Sequence, residues 1–169
     1  MALFKKIAAP GKYHDPEAIP NLIAYITRSD KTPSRIICGS HVDMQHIADS
    51  MITLSEHFGK NSRLRLHHFI LTFQPSDIKD FRIIPQIVEQ ICAYIGRSFQ
   101  IVAALHEDTP SPHIHCVFNA VSFVNGYKYR GGKEDYRELT EAIGSILVSY
   151  GIHPLIPVKY YPKPYSPHE

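Results

Sequence analysis

The sequence predicts an α+β fold, an antiparallel β-sheet with helices packed on one face. Three observations carry that prediction. Stretches with apolar residues at helical spacing alternate with stretches rich in β-branched and aromatic residues. In the second half, adjacent strand-like stretches are separated by too few residues for a crossover helix, so they must pair as hairpins. At 169 residues and 44% hydrophobic content, the chain is the right size for one core.

Taken in order, residues 2–8 read as a short first strand, broken by Pro10 and Gly11. From Pro16, the apolar residues Ile19, Leu22, Ile23 and Ile26 recur at helical spacing, predicting a helix to about Arg28 that Ser29 to Pro33 stops. Tyr25 lies beside that apolar stripe rather than opposite it, so its hydroxyl can emerge at an edge. A second helix is expected from Asp43 to Phe58, ended by Gly59 with Lys60 behind it. Leu66 to Gln74, closed by Pro75, reads as a central strand. Ile84, Ile87, Val88, Ile91 and Ile95 mark a strongly amphipathic helix ending near Gly96.

Ile101 to Leu105 is an apolar run ending at His106, and Pro110 with Pro112 forces a loop before the next strand, 113–121. Gly126 to Arg130 can extend this hairpin as a third strand. Asp135 to Tyr150 is a helix carrying Leu139, Ile143, Ile146 and Leu147 and ended by Gly151; Leu155 to Tyr160 is a last strand. Residues 1–158 form the domain, and residues 159–169, rich in Pro and Tyr, a tail or the start of a linker.

A net charge of +2 does not by itself announce a nucleic-acid partner, although basic residues gather at Lys60, Arg63 and Arg65 and again at Lys128, Arg130, Lys133 and Arg137. No apolar run approaches the roughly 20 residues of a membrane span, and the first residues do not make a signal peptide. Cys38, Cys92 and Cys116 form no CxxC pair, which points to reduced thiols. A soluble cytoplasmic protein without membrane insertion is expected.

The chemistry concentrates around His113 and His115. In a strand their side chains share one face with Val117 and Asn119, while Ile114, Cys116 and Phe118 take the other. A hairpin would bring His106 beside the pair. Three neutral imidazoles leave coordination positions open, which suits a metal that activates or polarises a substrate better than a closed structural site. Imidazole ligands alone favour zinc or another transition metal. Asp108 follows His106 by two residues and could fix the tautomer of a ligand imidazole.

These residues resemble a known family. The run from His106 and Asp108 through His113-Ile114-His115 to Asn119, Gly126 and Tyr129 is similar to the metal motif of relaxases, the mobilisation nucleases of plasmids and conjugative transposons in the HUH endonuclease superfamily. Tyr25 to Thr32 resembles the family's nucleophile segment, and His67 to Phe73 its middle strand motif. The resemblance covers most of residues 1–155 and implies a relaxase-like sheet with a ferredoxin-like core. It implies site-specific nicking and joining of one DNA strand at a transfer origin, with Tyr25 as nucleophile and a 5′-phosphotyrosine intermediate. His106, His113 and His115 would be the metal ligands, Mg2+ or Mn2+ the cation, and single-stranded or hairpin origin DNA and other transfer-complex proteins the partners.

A phenol ordinarily titrates near 10, so Tyr25 needs help to attack at neutral pH, and His67, His68 and Asp108 are the candidates. By resemblance, Asp108 rather supports a ligand imidazole. Tyr127, Lys128, Tyr129, Arg130 and Lys133 interleave cations and rings in a way that suits phosphate contacts with base stacking on single-stranded DNA. Three rivals stand beside this reading. A cupin would share His113-x-His115 but wants Glu where Asn119 stands, and a barrel. A relaxase-like accessory protein would bind DNA without cutting. A rolling-circle replication initiator or transposase would place its tyrosine after the histidines, at Tyr136 or Tyr150.

Overall fold

The computed structural model describes residues 1–7 and 13–156. The chain runs β1 (Ala2–Ile7), α1 (Ala18–Ile26), β2 (Ile37–Ser40), α2 (Ile47–His57), β3 (Leu66–Phe73), α3 (Ile83–Ile95), β4 (Phe99–His106), β5 (His113–Ser122), α4 (Lys133–Ser149) and β6 (Pro154–Leu155). The strands form one sheet ordered β2-β4-β5-β3-β1-β6. Each pairing is antiparallel except that of β1 with β6. This is the α+β antiparallel architecture that the sequence predicts, and it is not a cupin barrel. No helix among the described residues is long and apolar enough to cross a membrane.

The expectation of helices on one face is corrected: they cover both. Helices α3 and α4 bury Ile84, Ile87, Val88, Ile91, Ile143 and Leu147 against Phe69, Leu71, Ala103, Ile114 and Cys116. Helices α1 and α2 bury Ile19, Ile23, Ile26 and Met51 against Leu66, Val102, Ala104 and Val117 on the opposite face. The cause is in the strands. From Ile101 to Leu105 each side chain is fully buried, so both faces of β4 are apolar and both need a cover.

Register sets which groups meet. The loop 107–112 closes β4 onto β5, pairing His106 with His113 and Ala104 with His115. On the other flank, β3 pairs Ile70 with His115 and His68 with Val117. Opposed residues share a face, so His68, His106, His113 and His115 all lie on the α1 side of the sheet.

Other departures are local. Strand β2 was not predicted; it is four residues long at the sheet edge, too short for an alternating pattern. Gly126 to Arg130 is not a third strand, since Lys128 alone bridges to Val121. The turn there needs glycine: Gly126 has φ +70°, and a Cβ would sit 2.4 Å from the Phe58 ring. Pro10, Gly11, the last strand beyond Ile156 and the tail 159–169 lie outside the described residues. Cys38, Cys92 and Cys116 are free thiols, and Cys116 is buried on the face away from the histidines.

Candidate active site

His106, His113 and His115 each offer one ring nitrogen within 4.8 Å of the others'. Their ring centroids are 4.2 to 5.4 Å apart. The hydrogen bonds decide which nitrogens are free. His106 Nε2 meets the carbonyl of Ile26 at 2.9 Å and His113 Nδ1 meets the carbonyl of Ser111 at 3.1 Å. A carbonyl only accepts, so both of these nitrogens carry the proton and each ring turns a lone pair to the other side. His106 Nδ1 and His115 Nε2 are buried without a hydrogen-bond partner, and a buried polar atom left so is costly unless something binds it. The donor set fits a divalent metal, which His106 Nδ1, His113 Nε2 and His115 Nε2 would hold.

The electrostatics agree with the geometry. Burial, then the neighbouring imidazoles, push His115 down to about 2. Burial also lowers His106. Both rings are neutral at ordinary pH, the form in which imidazole binds a metal.

Behind His115 stands a chain that the sequence did not disclose. His115 Nδ1 is 2.9 Å from His68 Nε2, and His68 Nδ1 is 2.8 Å from the Tyr13 hydroxyl. If His115 Nε2 is to keep a lone pair, its Nδ1–H must donate to His68, and His68 Nδ1–H to Tyr13. Burial pushes the Tyr13 hydroxyl up to about 12, so it stays protonated. His68, expected as support for the nucleophile, sits between the His115 ring and the Tyr13 hydroxyl. Tyr13 carried no signal, because neither its spacing nor its neighbours set it apart.

Tyr25 stands over the triad. Its ring is edge-on to His106 at 5.5 Å and to His115 at 5.6 Å, and it is 39% exposed. An open groove of about 630 Å³ runs beside it, lined by Tyr13, Asn21, Leu22, His68, Ile70 and His115 among others. The tyrosines of the rival order are elsewhere: Tyr136 is buried against Phe4, and Tyr150 takes a hydrogen bond from Gln90 of α3. Both belong to the α3/α4 side of the sheet.

Four expected participants are placed differently. Asp108 binds Lys31 Nζ rather than an imidazole. His67 lies on the opposite face, stacked on Phe118 and donating to the Tyr129 carbonyl at 2.8 Å; alternation along β3 separates it from His68. Asn119 shares the triad's face but is a structural brace, donating to the Met51 carbonyl and Gln100 and accepting from Ser55 and the Val121 amide. Tyr129 packs its ring on His67, Phe99 and Phe118 and donates its hydroxyl to the Asp135 carbonyl, so it is not free to stack on a base.

The remaining basic and aromatic residues are far from the triad. Val121, which Lys128 bridges, is eight residues along β5 from His113, roughly 27 Å at about 3.4 Å per residue. There Tyr127, Lys128 and Arg130 line a shallow cavity of about 320 Å³ with Lys60 and Ser62. Lys128 Nζ is spent on the carbonyls of Lys60 and Ser62, while Tyr127 is half exposed and Arg130 and Lys133 face solvent.

Fold and site together place the molecule among α+β domains with a three-histidine centre that can hold a metal. The family described as Relaxase, MobA/VirD2-like, nuclease domain matches residues 25–152. Protein rlx of Staphylococcus aureus is 22% identical over 144 residues, 85% of this chain and 42% of that protein, so the chain spans less than half of that relative. Two Mn-bound crystal structures of the MobM relaxase domain with 22-nucleotide pMV158 oriT DNA share the fold, with TM-scores of 0.57 and 0.60 at 17% and 16% identity. These alignments cover 99% of this chain and 93% and 94% of theirs. The chain belongs to the MobA/VirD2-like relaxase nuclease-domain family. That family is one of nuclease domains by its description.

Proposed function

We propose that this domain cuts and rejoins one strand of DNA at a transfer origin by transesterification through Tyr25. The observation that carries the reading is the phenol standing 5.5 and 5.6 Å from two of three convergent imidazoles while open to solvent. Tyr25 Oη attacks the scissile phosphorus and the P–O3′ bond breaks, leaving a 5′-phosphotyrosine and a free 3′-hydroxyl. The bond energy is kept, so a second 3′-hydroxyl can reseal the strand. When bound, the cation supplies Lewis-acid stabilisation of the phosphate oxygens, on which charge grows during in-line attack. His106, His113 and His115 hold it, and His68 with Tyr13 keeps the His115 ring in place.

The cation is Mn2+ or Mg2+ in this reading, in keeping with the Mn-bound MobM domain; zinc is the alternative that an all-imidazole set permits. DNA in single-stranded or hairpin form would run from the triad toward Tyr127, Arg130, Lys60 and Lys133. Other transfer-complex proteins and a cytoplasmic setting belong to the same reading. The test is incubation with a single-stranded oligonucleotide from the origin mapped beside the encoding gene, with Mn2+. A denaturation-resistant protein–DNA adduct, absent in Tyr25→Phe and His113→Ala, is the expected result; metal binding without any adduct would favour the non-cutting accessory protein.

A further inference from the structure

Lys31 is placed with more care than a surface lysine needs. The loop leaving α1 turns back through hydrogen bonds of the Lys31 and Thr32 amides to the Arg28 carbonyl, both 3.1 Å, and of the Thr32 hydroxyl to the same oxygen at 2.9 Å. It is then tied to the loop between β4 and β5: the Glu107 amide donates to the Lys31 carbonyl at 2.9 Å, and the Ser34 amide to the Glu107 carboxylate at 3.1 Å. The side chain is fixed at its other end as well. Nζ binds Asp108 and stands 5.3 Å from the centre of the Tyr25 ring.

Shelter separates this pair from its neighbour in sequence. The Lys31 and Asp108 side chains are 18% and 27% exposed, whereas Arg28 and Asp30, an ion pair just upstream of Lys31, are 53% and 62% exposed. A half-sheltered lysine–carboxylate pair gives up hydration for little net stability, so its placement calls for another reason. An ammonium has three N–H donors. Asp108 takes one, which leaves two beside the phenol.

Building on the nicking reading, we infer that Lys31 is a catalytic cation that binds a non-bridging oxygen of the scissile phosphate, with Asp108 as its positioning residue. As the Tyr25 Oη–P bond forms and the P–O3′ bond breaks, negative charge builds on the non-bridging oxygens, and Lys31 binds one of them. The phenol proton departs to solvent, the 3′-oxygen takes one up, and Lys31 keeps its proton throughout. This gives Asp108 a different task from supporting an imidazole. It pins the lysine and offsets a positive charge that would otherwise repel the metal.

The experiment is single-turnover adduct formation with the full chain, Mn2+ and the origin oligonucleotide, made either with an ordinary scissile phosphodiester or with a methylphosphonate there, in which a methyl group replaces one non-bridging oxygen. Lys31→Met is expected to slow the phosphodiester by about 10²- to 10³-fold. On the methylphosphonate isomer lacking the oxygen that Lys31 holds, Lys31→Met should match the unaltered chain. Lys31→Arg should recover most of the lost rate, and Asp108→Asn should show a smaller loss with Mn2+ affinity unchanged. Equal rates for Lys31→Met and the unaltered chain on the phosphodiester overturn the inference alone, as does an equal loss on both substrates. A fall in Mn2+ affinity of Asp108→Asn by about 10- to 100-fold, the size expected for a residue that orients a metal ligand, overturns the clamp. No adduct from the unaltered chain overturns the nicking reading and this inference together.

Discussion

His106 Nε2–H donates to the carbonyl oxygen of Ile26 at 2.9 Å, and Ile26 directly follows Tyr25 in the last turn of α1. One imidazole therefore caps the helix that carries the phenol and turns its other nitrogen toward the candidate metal position. The carbonyls at a helix C-terminus lack partners within the helix, and here the missing donor is an imidazole of the triad. In the proposed reading, this bond couples the nucleophile Tyr25 to the metal centre.

His106→Ala should consequently do two things. Mn2+ affinity falls by at least about tenfold as one of three ligands is lost, and amide exchange speeds up around Ile26 to Arg28 as the cap disappears. Titration calorimetry reads the first and hydrogen exchange the second. Exchange unchanged in the last turn of α1 would separate the two.

His68→Ala should lower Mn2+ affinity by about 10- to 100-fold, because His115 loses the acceptor for its Nδ1–H and its preferred tautomer. Tyr13→Phe, one step further out, should cost less. Calorimetric titration of the two variants with Mn2+ checks the order.

Much of this site was legible in the sequence because short-range rules placed it. The His113 and His115 pair follows from alternation alone, and His106 from a loop with two prolines joining two strands. Tyr25 stood at the edge of a regular apolar stripe. What could not be read depended on contacts between distant segments: Tyr13 with His68 and Lys31 with Asp108 are 55 and 77 residues apart. The second helical layer is legible too, since a strand such as Ile101 to Leu105 without polar alternation signals burial on both faces.

His67 gives a pH prediction. Burial holds it down to about 4 in the folded chain, against an ordinary value of 6.5. Between those values the unfolded chain takes up a proton that the folded chain refuses, so this group's contribution lowers stability as pH falls through that window, by up to about 3 kcal/mol, and levels off below it. In urea unfolding of metal-free protein at pH 7 and pH 4, His67→Gln should show a smaller loss than the unaltered chain. An identical loss would remove His67 as a source of the slope.

Asn119 should matter for stability and not for metal. Fully buried, with three hydrogen bonds joining β5 to α2 and β4 and a fourth from the Val121 amide of its own strand, it should cost about 2–4 kcal/mol on replacement by Ala. Mn2+ affinity of the folded variant should be unchanged. Parallel denaturation and titration would show it.

On the proposed DNA surface, Arg130→Ala should reduce the slope of log affinity against log salt by about 0.7–0.9, the value of one phosphate contact. Lys128→Ala should change it less, because Lys128 Nζ is held by the carbonyls of Lys60 and Ser62. Fluorescence anisotropy across a salt series separates them.

The most direct measurement is peptide mapping of the protein–oligonucleotide adduct by mass spectrometry after reaction with Mn2+. The oligonucleotide's 5′-phosphate is expected on the peptide containing Tyr25. Attachment at any other residue would contradict Tyr25 as the nucleophile.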